Sequence, residues 1–529
     1  MKELIKERIR RSDDIIENQL NAQCTDPDSV YYGNVPDRTA GYNEPTRSIL
    51  VAATYITRYC HPLSRFYKNR LLLQRALIGL KHGLKHMHPD NTMDLTATNP
   101  HDPTSVAFSV RTIVPAFRML KNYMQKKSSH SALEVKVYNT IINYLTKSAD
   151  GMVGKGFHTP NHRWVVASGL AMVMNILDMP ELMSEINKYL DEGIDCDEYG
   201  EYAERSISIY NLTNNESLII LARELNRPEF LEHVRRNLYM SMKYIEPDGT
   251  LYTLNSSRQD VGTRIYPFTL FEGYMVMAHI DRNPQFAYMA KVIFDMCSNN
   301  PIDTGELGYY CFTAHIIRNM EYSEFFDGEV AILPFDYTHY DAFFPYSDIA
   351  RMRDGDTSMT VLAKNVMPVK YMYRFLGIYM MFLSDKYMEF DRIEKTHAGY
   401  RLYGNDDKTE VILDCVFQPD KATISVEAKA DQPYPCAAVL MFDKEGFLQG
   451  DGYSLRARTG KNLHVKNGKF TYLPSVRYIP NALTVESDFT GDEYSKICMN
   501  KVLPTDKNSF TVFLTAEAPF RKTITIKKE

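Results

Sequence analysis

The sequence predicts an α+β multidomain protein, in which an N-terminal (α/α) toroid of about a dozen helices precedes a C-terminal antiparallel β-sandwich. The chain has 529 residues, more than one hydrophobic core usually organises. Apolar residues follow a helical period up to about residue 320 and a period of two from about residue 325. We therefore predict a toroid domain over residues 1–322 and a sandwich domain over residues 323–529.

The helical half begins with four long segments in which apolar residues recur at i, i+3, i+4 and i+7. They are PTRSILVAATYITRY (45–59), RFYKNRLLLQRALIGLKHGLKH (65–86), DPTSVAFSVRTIVPAFRMLKNYM (102–124) and ALEVKVYNTIINYLTK (132–147). Seven further segments follow, from HRWVVASGLAMVMNIL to ELGYYCFTAHIIRNM. Short Pro, Asn, Asp and Gly breaks separate them, and no solenoid consensus recurs. This pattern favours paired helices in a bundle or a toroid.

The second half carries short segments rich in β-branched and aromatic residues. Examples are EVAILPF (329–335), TEVILDCVF (409–417), ATISVEAKA (422–430) and SFTVFLTAEA (509–518). Turn signals such as GNDD (404–407) and KNG (466–468) separate the strands. The junction between the halves, RNMEYSEFFDGE (318–329), is short, so we expect the two domains to pack together.

Composition excludes several classes of protein. The net charge of −5 is spread without long single-sign blocks, which argues against a nucleic-acid partner. The charged N-terminus lacks the apolar region of a secretory signal, and no segment approaches the roughly 18 apolar residues that span a bilayer. The eight cysteines are scattered without a CxxC pair, which favours a reduced, cytoplasmic protein and argues against a zinc site built from cysteines. We expect no cofactor, and the sequence gives no support for a structural metal ion, although it leaves one open.

The stretch TPNHRWVVASGL (159–170) concentrates polar side chains at the start of an apolar helix. Thr159 suits the N-cap and Pro160 the first helical position, which places Asn161, His162 and Arg163 in the first turn. The positive end of the helix dipole lies there, so the turn is suited to hold an anion beside a neutral histidine that acts as a base. The alternative is a capped helix start with exposed polar residues and a buried tryptophan.

A second stretch, DEYGEYAERSISIYNLTNNESL (197–218), brings acids, an arginine, a tyrosine and an asparagine ahead of another helix. The order Asn-His, followed about fifty residues later by Glu-Arg-Ser and Tyr-Asn, resembles the heparinase II/III-like and alginate-lyase-like polysaccharide lyases. The resemblance implies an (α/α) toroid followed by an antiparallel β-sandwich, in agreement with the order of helices and strands.

The resemblance also implies roles in β-elimination on a uronic acid. Asn161 is expected to neutralise the C6 carboxylate, His162 or Tyr210 to remove the C5 proton, and Tyr210 to protonate the leaving oxygen. Tyrosine needs nearby positive charge to act as a base, and Arg163 or Arg205 is expected to supply it. We place Arg163, Trp164, Glu204 and Arg205 among the substrate-binding residues.

Three other stretches carry candidate substrate contacts. Arg258, Gln259 and Asp260 lie in a polar stretch between helices, which is either a sugar subsite or a solvated loop. Asn99 lies near a helix entrance with Asp102, for which capping is the alternative role. The resemblance implies a further His or Tyr from the sandwich, and His339 and His397 are the candidates there, although a lone histidine is more often structural.

The leading hypothesis is a cytoplasmic lyase that cleaves uronate-containing oligosaccharides by β-elimination. The sequence allows a homo-oligomer and does not fix the oligomeric state. One alternative is a glycoside hydrolase on an (α/α) barrel with paired carboxylates. The carboxylates available to it are Asp197, Glu198, Glu201, Glu204 and Asp260. The other alternative is a carbohydrate-binding protein without catalysis. The sequence leaves the identity of the uronic acid and the endo or exo mode open.

Overall fold

The structure is a computed structural model. It describes residues 2–35, 45–95, 99–299, 317–318, 321, 328–465, 468–475, 482–491 and 510–529. The chain divides into two compact units, Met1–Met240 with Ile265–Phe335 and Ser241–Arg264 with Asp336–Glu529. The segment Ser241–Arg264, which lies within the predicted helical domain, therefore groups with the sheets.

Eleven α-helices lie in the described part of the chain, all of them before the large sheets. None of these helices combines the length and the apolar character needed to cross a membrane. The helices are α1 Lys2–Ala22, α2 Pro45–Cys60, α3 Arg70–Lys85, α4 Pro103–Gln125, α5 Ala132–Met152, α6 Pro160–Leu177, α7 Met183–Leu190, α8 Tyr210–Glu224, α9 Phe230–Met242, α10 Phe271–Ile280 and α11 Pro284–Asn299.

The helices of the first unit form an inner and an outer layer. In the inner layer α2 packs on α4, α4 on α6, α6 on α8 and α8 on α10, while α3 and α5 pack outside them. Fifteen of the sixteen residues of α2 are buried, as expected for a helix that is covered on all sides. A Cβ at Gly169 of α6 would lie 3.2 Å from the Cβ of Ala107, so this glycine lets α6 approach α4 closely.

The helix boundaries differ from the prediction where a cap intervenes. Helix α3 begins at Arg70, five residues later than predicted, because the side chain of Asn69 accepts the Leu71 N–H at 3.0 Å. The predicted capping role of Asp102 is confirmed, since its carboxylate accepts the Ser105 N–H at 2.7 Å. The predicted helix over residues 306–320 lies largely outside the described residues.

Nineteen strands lie in the described part of the chain, and two of them, β1 Met93–Leu95 and β2 Asn99–Asp102, form an unpredicted hairpin before α4. The others are β3 His339–Phe344, β4 Ile349–Asp354, β5 Thr357–Leu362, β6 Val369–Tyr373, β7 Leu376–Leu383, β8 Phe390–Lys395, β9 Tyr400–Asn405, β10 Glu410–Gln418, β11 Lys421–Lys429, β12 Tyr434–Phe442, β13 Gly446–Gly450, β14 Tyr453–Ala457, β15 Asn462–His464, β16 Lys469–Pro474, β17 Leu483–Ser487, β18 Phe510–Ala518 and β19 Phe520–Lys528.

These seventeen strands form two sheets of the second unit, with the order β14-β13-β16-β17-β19-β11-β10-β9-β8 in one and β15-β18-β12-β7-β6-β5-β4-β3 in the other. All described pairings are antiparallel except β15 with β18. The two sheets share one apolar core, in which the ring of Phe442 on β12 lies 4.8 Å from that of Tyr472 on β16. The period-two pattern of the sequence thus produces the predicted sandwich.

The predicted strand at 329–335 is not formed. Leu333 is 56% exposed there, and Pro334 has no N–H to donate to a neighbouring strand, so the segment remains outside the sheets.

The outer face of the eight-stranded sheet is charged, and the segment Ser241–Arg264 covers part of it. On β4, Arg351 donates to the Lys243 carbonyl at 3.1 Å and Arg353 to the Ile245 carbonyl at 2.8 Å. Glu246 accepts from Arg351 at 2.9 Å and lies 3.3 Å from the Lys370 ammonium. Since Glu246 and Arg351 are each 1% exposed, this is a buried ion-pair network.

We expect Glu246→Gln to destabilise the second unit by about 3–5 kcal/mol, because it leaves two buried cations without their carboxylate. Burial raises the pKa of Glu246, but the charges of Arg351 and Lys370 outweigh it and lower the pKa to about 2 from an ordinary value of 4.5. The carboxylate therefore stabilises the fold above pH 4.5, and this contribution is lost as the pH falls toward about 2. Thermal unfolding across this pH range measures both effects.

The control for this measurement is Glu410→Gln. Glu410 lies on β10 and forms an exposed ion pair with Lys429 on β11. It should unfold like the wild type. Equal melting temperatures for Glu246→Gln and Glu410→Gln would contradict the assigned role of the network.

Candidate active site

The start of α6 has the predicted backbone but not the predicted cap. Pro160 is the first helical residue and Thr159 takes the extended N-cap conformation, yet the Thr159 hydroxyl makes no capping hydrogen bond. Asn161 is buried, at 2% exposure, whereas the side chain of His162 is partly exposed. The ring of His162 lies 6.0 Å from that of Phe157 in the preceding loop.

Arg163 is engaged by carboxylates of the protein itself. Its guanidinium lies 2.9 Å from Glu192 and 3.1 Å from Asp195, and it stacks 4.5 Å from the centre of the Trp164 ring. Burial raises the pKa of Glu192, but hydrogen bonds from His158 and Arg163 outweigh it and lower the pKa overall. The anions beside Arg163 in this structure are therefore internal, and its role toward a substrate stays a prediction.

Trp164 is buried next to the first turn of α6. It is 0% exposed, and its indole N–H donates to Asp195 at 2.8 Å. The placement of Trp164 among the substrate contacts therefore needs correction, because a fully buried ring cannot stack on a sugar. Asp195 accepts from both Trp164 and Arg163, so it ties the loop before α8 to the first turn of α6.

Asn161 and Glu204 form the direct link between the two sequence stretches. The Asn161 amide donates to Glu204 Oε1 at 2.6 Å, and both side chains are buried. This bond fixes which way the amide points, and it uses one of the two N–H donors that an asparagine carries. The structure thus brings a predicted catalytic residue of α6 next to the turn that leads into α8.

The turn between Glu204 and α8 has an unusual backbone. Arg205 adopts a φ of 51°, in the left-handed region that non-glycine residues rarely occupy, and its N–H donates to the Tyr202 carbonyl at 2.9 Å. The Ser206 carbonyl and hydroxyl receive the N–H groups of Asn211 and Tyr210 at 2.9 and 3.3 Å. Tyr210 is the first residue of α8, and its side chain is partly exposed.

The first half of α8 buries a run of polar residues, of which only Asn211 was a candidate from the sequence. They are Asn211, Thr213, Asn214, Asn215, Glu216 and Ser217. Asn215 accepts from the Tyr202 hydroxyl at 2.9 Å and donates to Asn237 at 2.8 Å. Both polar atoms of the Asn214 amide are buried without a hydrogen-bond partner among the described residues. The run NLTNNES on an inner-layer helix is the sequence signal that points to this polar interior.

A chain of buried ion pairs continues inward from this run. Glu216 lies 2.7 Å from Arg111 of α4 and also pairs with Arg318, which lies 2.7 Å from Glu272 of α10. These alternating charges connect three helices of the inner layer and hold α8 in position.

Asn99 lies half-buried on β2, two residues before His101, which lies 3.1 Å from Asp90. His88 lies 2.7 Å from Asp94 and stacks on His101 at 3.8 Å. Among the described contacts none joins Asn99 to Asn161 or Tyr210, so its role as a substrate contact stays a prediction. Across the described ranges no cluster of three or more His, Cys, Asp or Glu side chains is arranged to hold a metal ion.

Five predicted candidates for the site belong to the second unit. Arg258, Gln259 and Asp260 lie in the segment Ser241–Arg264, where Asp260 is 3% exposed and accepts from the Ser256 hydroxyl. His339 opens β3, is exposed, and pairs with Asp336 while lying 3.6 Å from Asp354. His397 is exposed in the turn between β8 and β9. Their roles toward a substrate stay predictions.

Two of the five carboxylates named for the hydrolase alternative, Asp197 and Glu204, make hydrogen bonds in the loop before α8. Asp197 accepts the N–H groups of Tyr199 and Glu201 at 2.9 and 2.8 Å, which closes the turn, and Glu204 holds Asn161. Glu198 is exposed and Glu201 is buried, at 3% exposure. The group that contacts Glu204 from α6 is thus the Asn161 amide.

Solved structures of the same fold cover almost the whole chain. The heparan sulfate lyase HepC from Pedobacter heparinus matches 98% of this chain and 83% of its own, with 9% identity and a TM-score of 0.54. The chondroitin AC lyase of Streptomyces coelicolor A3 matches 99% and 79%, with 12% identity and a TM-score of 0.54. The Paenibacillus xanthan lyase matches 99% and 57%, with 11% identity and a TM-score of 0.59.

No protein-family model and no curated protein matches the sequence. Identities this low carry the fold alone, and on that level they confirm the predicted toroid followed by an antiparallel sandwich.

Trp164 is the single tryptophan of the chain, so its fluorescence reports on the contacts at the start of α6. We expect Asp195→Asn to expose the indole to quenching by acrylamide and to destabilise the first unit by about 1–3 kcal/mol, because a hydrogen-bonded charge partner of Arg163 is lost. Fluorescence-detected unfolding measures both. Asp191→Asn, at an exposed position in the same loop, is the control. Unchanged quenching in Asp195→Asn would contradict the supporting role of Asp195.

Proposed function

We propose that this protein is a lyase that cleaves a uronic-acid-containing glycan by β-elimination. The observation that carries the proposal is the Asn161–Glu204 hydrogen bond, which places the start of α6 beside the turn into Tyr210. The fold gives further support, because the solved structures that share it are named as heparan sulfate, chondroitin and xanthan lyases.

The chemistry requires a stabilised carboxylate before a carbon-bound proton can leave. The second N–H of Asn161 and the positive end of the α6 dipole would face the C6 carboxylate of the uronate and stabilise the charge that develops there. His162 or Tyr210 would then take the C5 proton. The C4–O4 bond breaks, a C4=C5 double bond forms, and Tyr210 donates a proton to the leaving oxygen.

Arg205 is the cation that best fits the support of Tyr210. Arg163 is held by Glu192 and Asp195, whereas Arg205 lies five residues before Tyr210 and its buried Nε has no hydrogen-bond partner among the described residues. Its left-handed backbone is strained, and strain of this kind concentrates at functional sites. A positive charge here would favour the phenolate form of Tyr210 during proton transfer.

We expect His162→Ala and Tyr210→Phe each to lower kcat by about a hundred- to ten-thousand-fold, the usual contribution of a general acid or base. The assay follows the ultraviolet absorbance of the unsaturated uronate on alginate, hyaluronan, heparan and glucuronan fragments. The matched controls are the exposed residues His130 and Tyr199, as His130→Ala and Tyr199→Phe.

Full activity in either site variant would remove its assigned role. Reducing sugar that forms without ultraviolet absorbance would identify hydrolysis instead. Calorimetric binding without any turnover would identify a carbohydrate-binding protein.

We expect Asn161→Ala to lower kcat/KM by about a hundred- to a thousand-fold, as for the loss of one donor to a developing anion. Asn161→Asp should be no more active, because a carboxylate there would repel both Glu204 and the uronate. Asn139→Ala, on the exposed face of α5, serves as the control. Circular dichroism checks that the variants fold. Wild-type kcat/KM in Asn161→Ala would separate this amide from the reaction.

A further inference from the structure

The second unit contains a pocket of about 390 Å³ that the proposed reaction does not use. It lies between residues 248–264 and the outer face of strands β6, β7 and β12. Its lining combines the Lys370 ammonium, the rings of Tyr252 and Tyr379, and the thioethers of Met367, Met372 and Met441. A concave, mostly apolar surface with a few charged groups is the usual form of a small-molecule site.

Lys370 is the central charge of this pocket. It is 8% exposed, and its ammonium lies 5.5 Å from the ring centre of Tyr252 and 5.2 Å from that of Tyr379. Its ion-pair partner in the described part of the chain is Glu246, at 3.3 Å. An ammonium has three donors, so hydrogen-bonding capacity remains beyond the bond to Glu246.

The charges around Lys370 do not balance within the described residues. Glu246 is one carboxylate between two buried cations, Arg351 and Lys370. Asp248 does not make up the difference, because it pairs with Arg264 at 2.6 Å. A buried cation in excess is costly unless an anion accompanies it, so the pocket is suited to a negatively charged ligand.

The rest of the lining favours a sugar rather than a bare anion. Asp443 lines the pocket and accepts the Gly377 N–H at 2.8 Å through one oxygen, so its carboxylate can also accept from a hydroxyl. The thioethers and tyrosine rings offer an apolar wall for the C–H face of a pyranose. Lys444 at the pocket adds a second positive charge, which Asp443 beside it offsets.

We propose that this pocket binds one acidic sugar unit, whose carboxylate or sulfate contacts Lys370 and whose hydroxyls contact Asp443. The site is additional to the proposed β-elimination and does not depend on it. Both groups lie in the second unit, so binding there can be measured without turnover.

The test is methyl NMR on the full chain labelled at methionine, with Met367, Met372 and Met441 assigned by Met→Leu substitution. Glucuronate, galacturonate and glucosamine 6-sulfate are the charged probes, and glucuronamide and inorganic sulfate are the comparisons. We expect at least one charged sugar to shift these three methyl signals, and binding at least tenfold weaker for glucuronamide and for sulfate.

Lys370→Met should weaken that binding at least tenfold, while Lys364→Met, at an exposed lysine of the same unit, should leave it unchanged. Met367→Trp fills the pocket without changing its charge and should also abolish the shifts, which guards against misfolding of Lys370→Met. His162→Ala should bind as the wild type does, so loss of catalysis and loss of this site are distinguishable.

Three results would overturn the proposal. The first is the absence of shifts at these methyls with every charged sugar. The second is equal binding of glucuronamide. The third is binding of inorganic sulfate alone, which would reduce the pocket to a small-anion site.

Discussion

Neutralisation of buried charge is the constraint on which both units depend. In the helical unit, Glu216 lies between Arg111 and Arg318, and Asp195 holds Arg163 beneath the first turn of α6. In the sheet unit, Glu246 forms ion pairs with both Arg351 and Lys370. Each carboxylate reaches a cation on another element, so the ion pairs fix how those elements meet. The hydrophobic core supplies most of the stability, and these pairs restrict it to one arrangement.

This constraint also determines which polar side chains at the start of α6 are already engaged. An arginine already bound by two carboxylates is a poor anion receptor, whereas an asparagine with one occupied donor can still receive a carboxylate. The start of α6 combines both cases. Arg163 donates to a carboxylate of the protein, and the Asn161 amide donates one of its two N–H groups to Glu204. The side chains at the start of α6 are thus held in place by Glu204, Glu192 and Asp195.

The order of helices and strands could be predicted from the sequence, because burial on one face produces an apolar period of 3.6 in a helix and of 2 in a strand. These periods can be recognised without knowing which elements pack together. The prediction from the sequence missed α1, in which charges interrupt the apolar stripe, and it mistook 329–335 for a strand. At the candidate site, the sequence predicted roles for Asn161 and Tyr210, and these roles stay predictions. The sequence could not show that Arg163 is paired internally or that Trp164 is fully buried, since both contacts are made to Asp195, more than thirty residues away. The polar run NLTNNES can be read in the sequence, but only the structure shows that α8 buries these side chains.

The chain passes between its two compact units three times, and this limits how the protein can be cut into fragments. The polypeptide leaves the helical unit after Met240, returns at Ile265 and leaves again after Phe335. A fragment that starts at residue 336 would therefore lack Glu246 and the stretch that shields β4, and would present bare arginines to solvent. A single cut therefore does not isolate the whole second unit, and a fragment meant to fold as that unit must also carry residues 241–264.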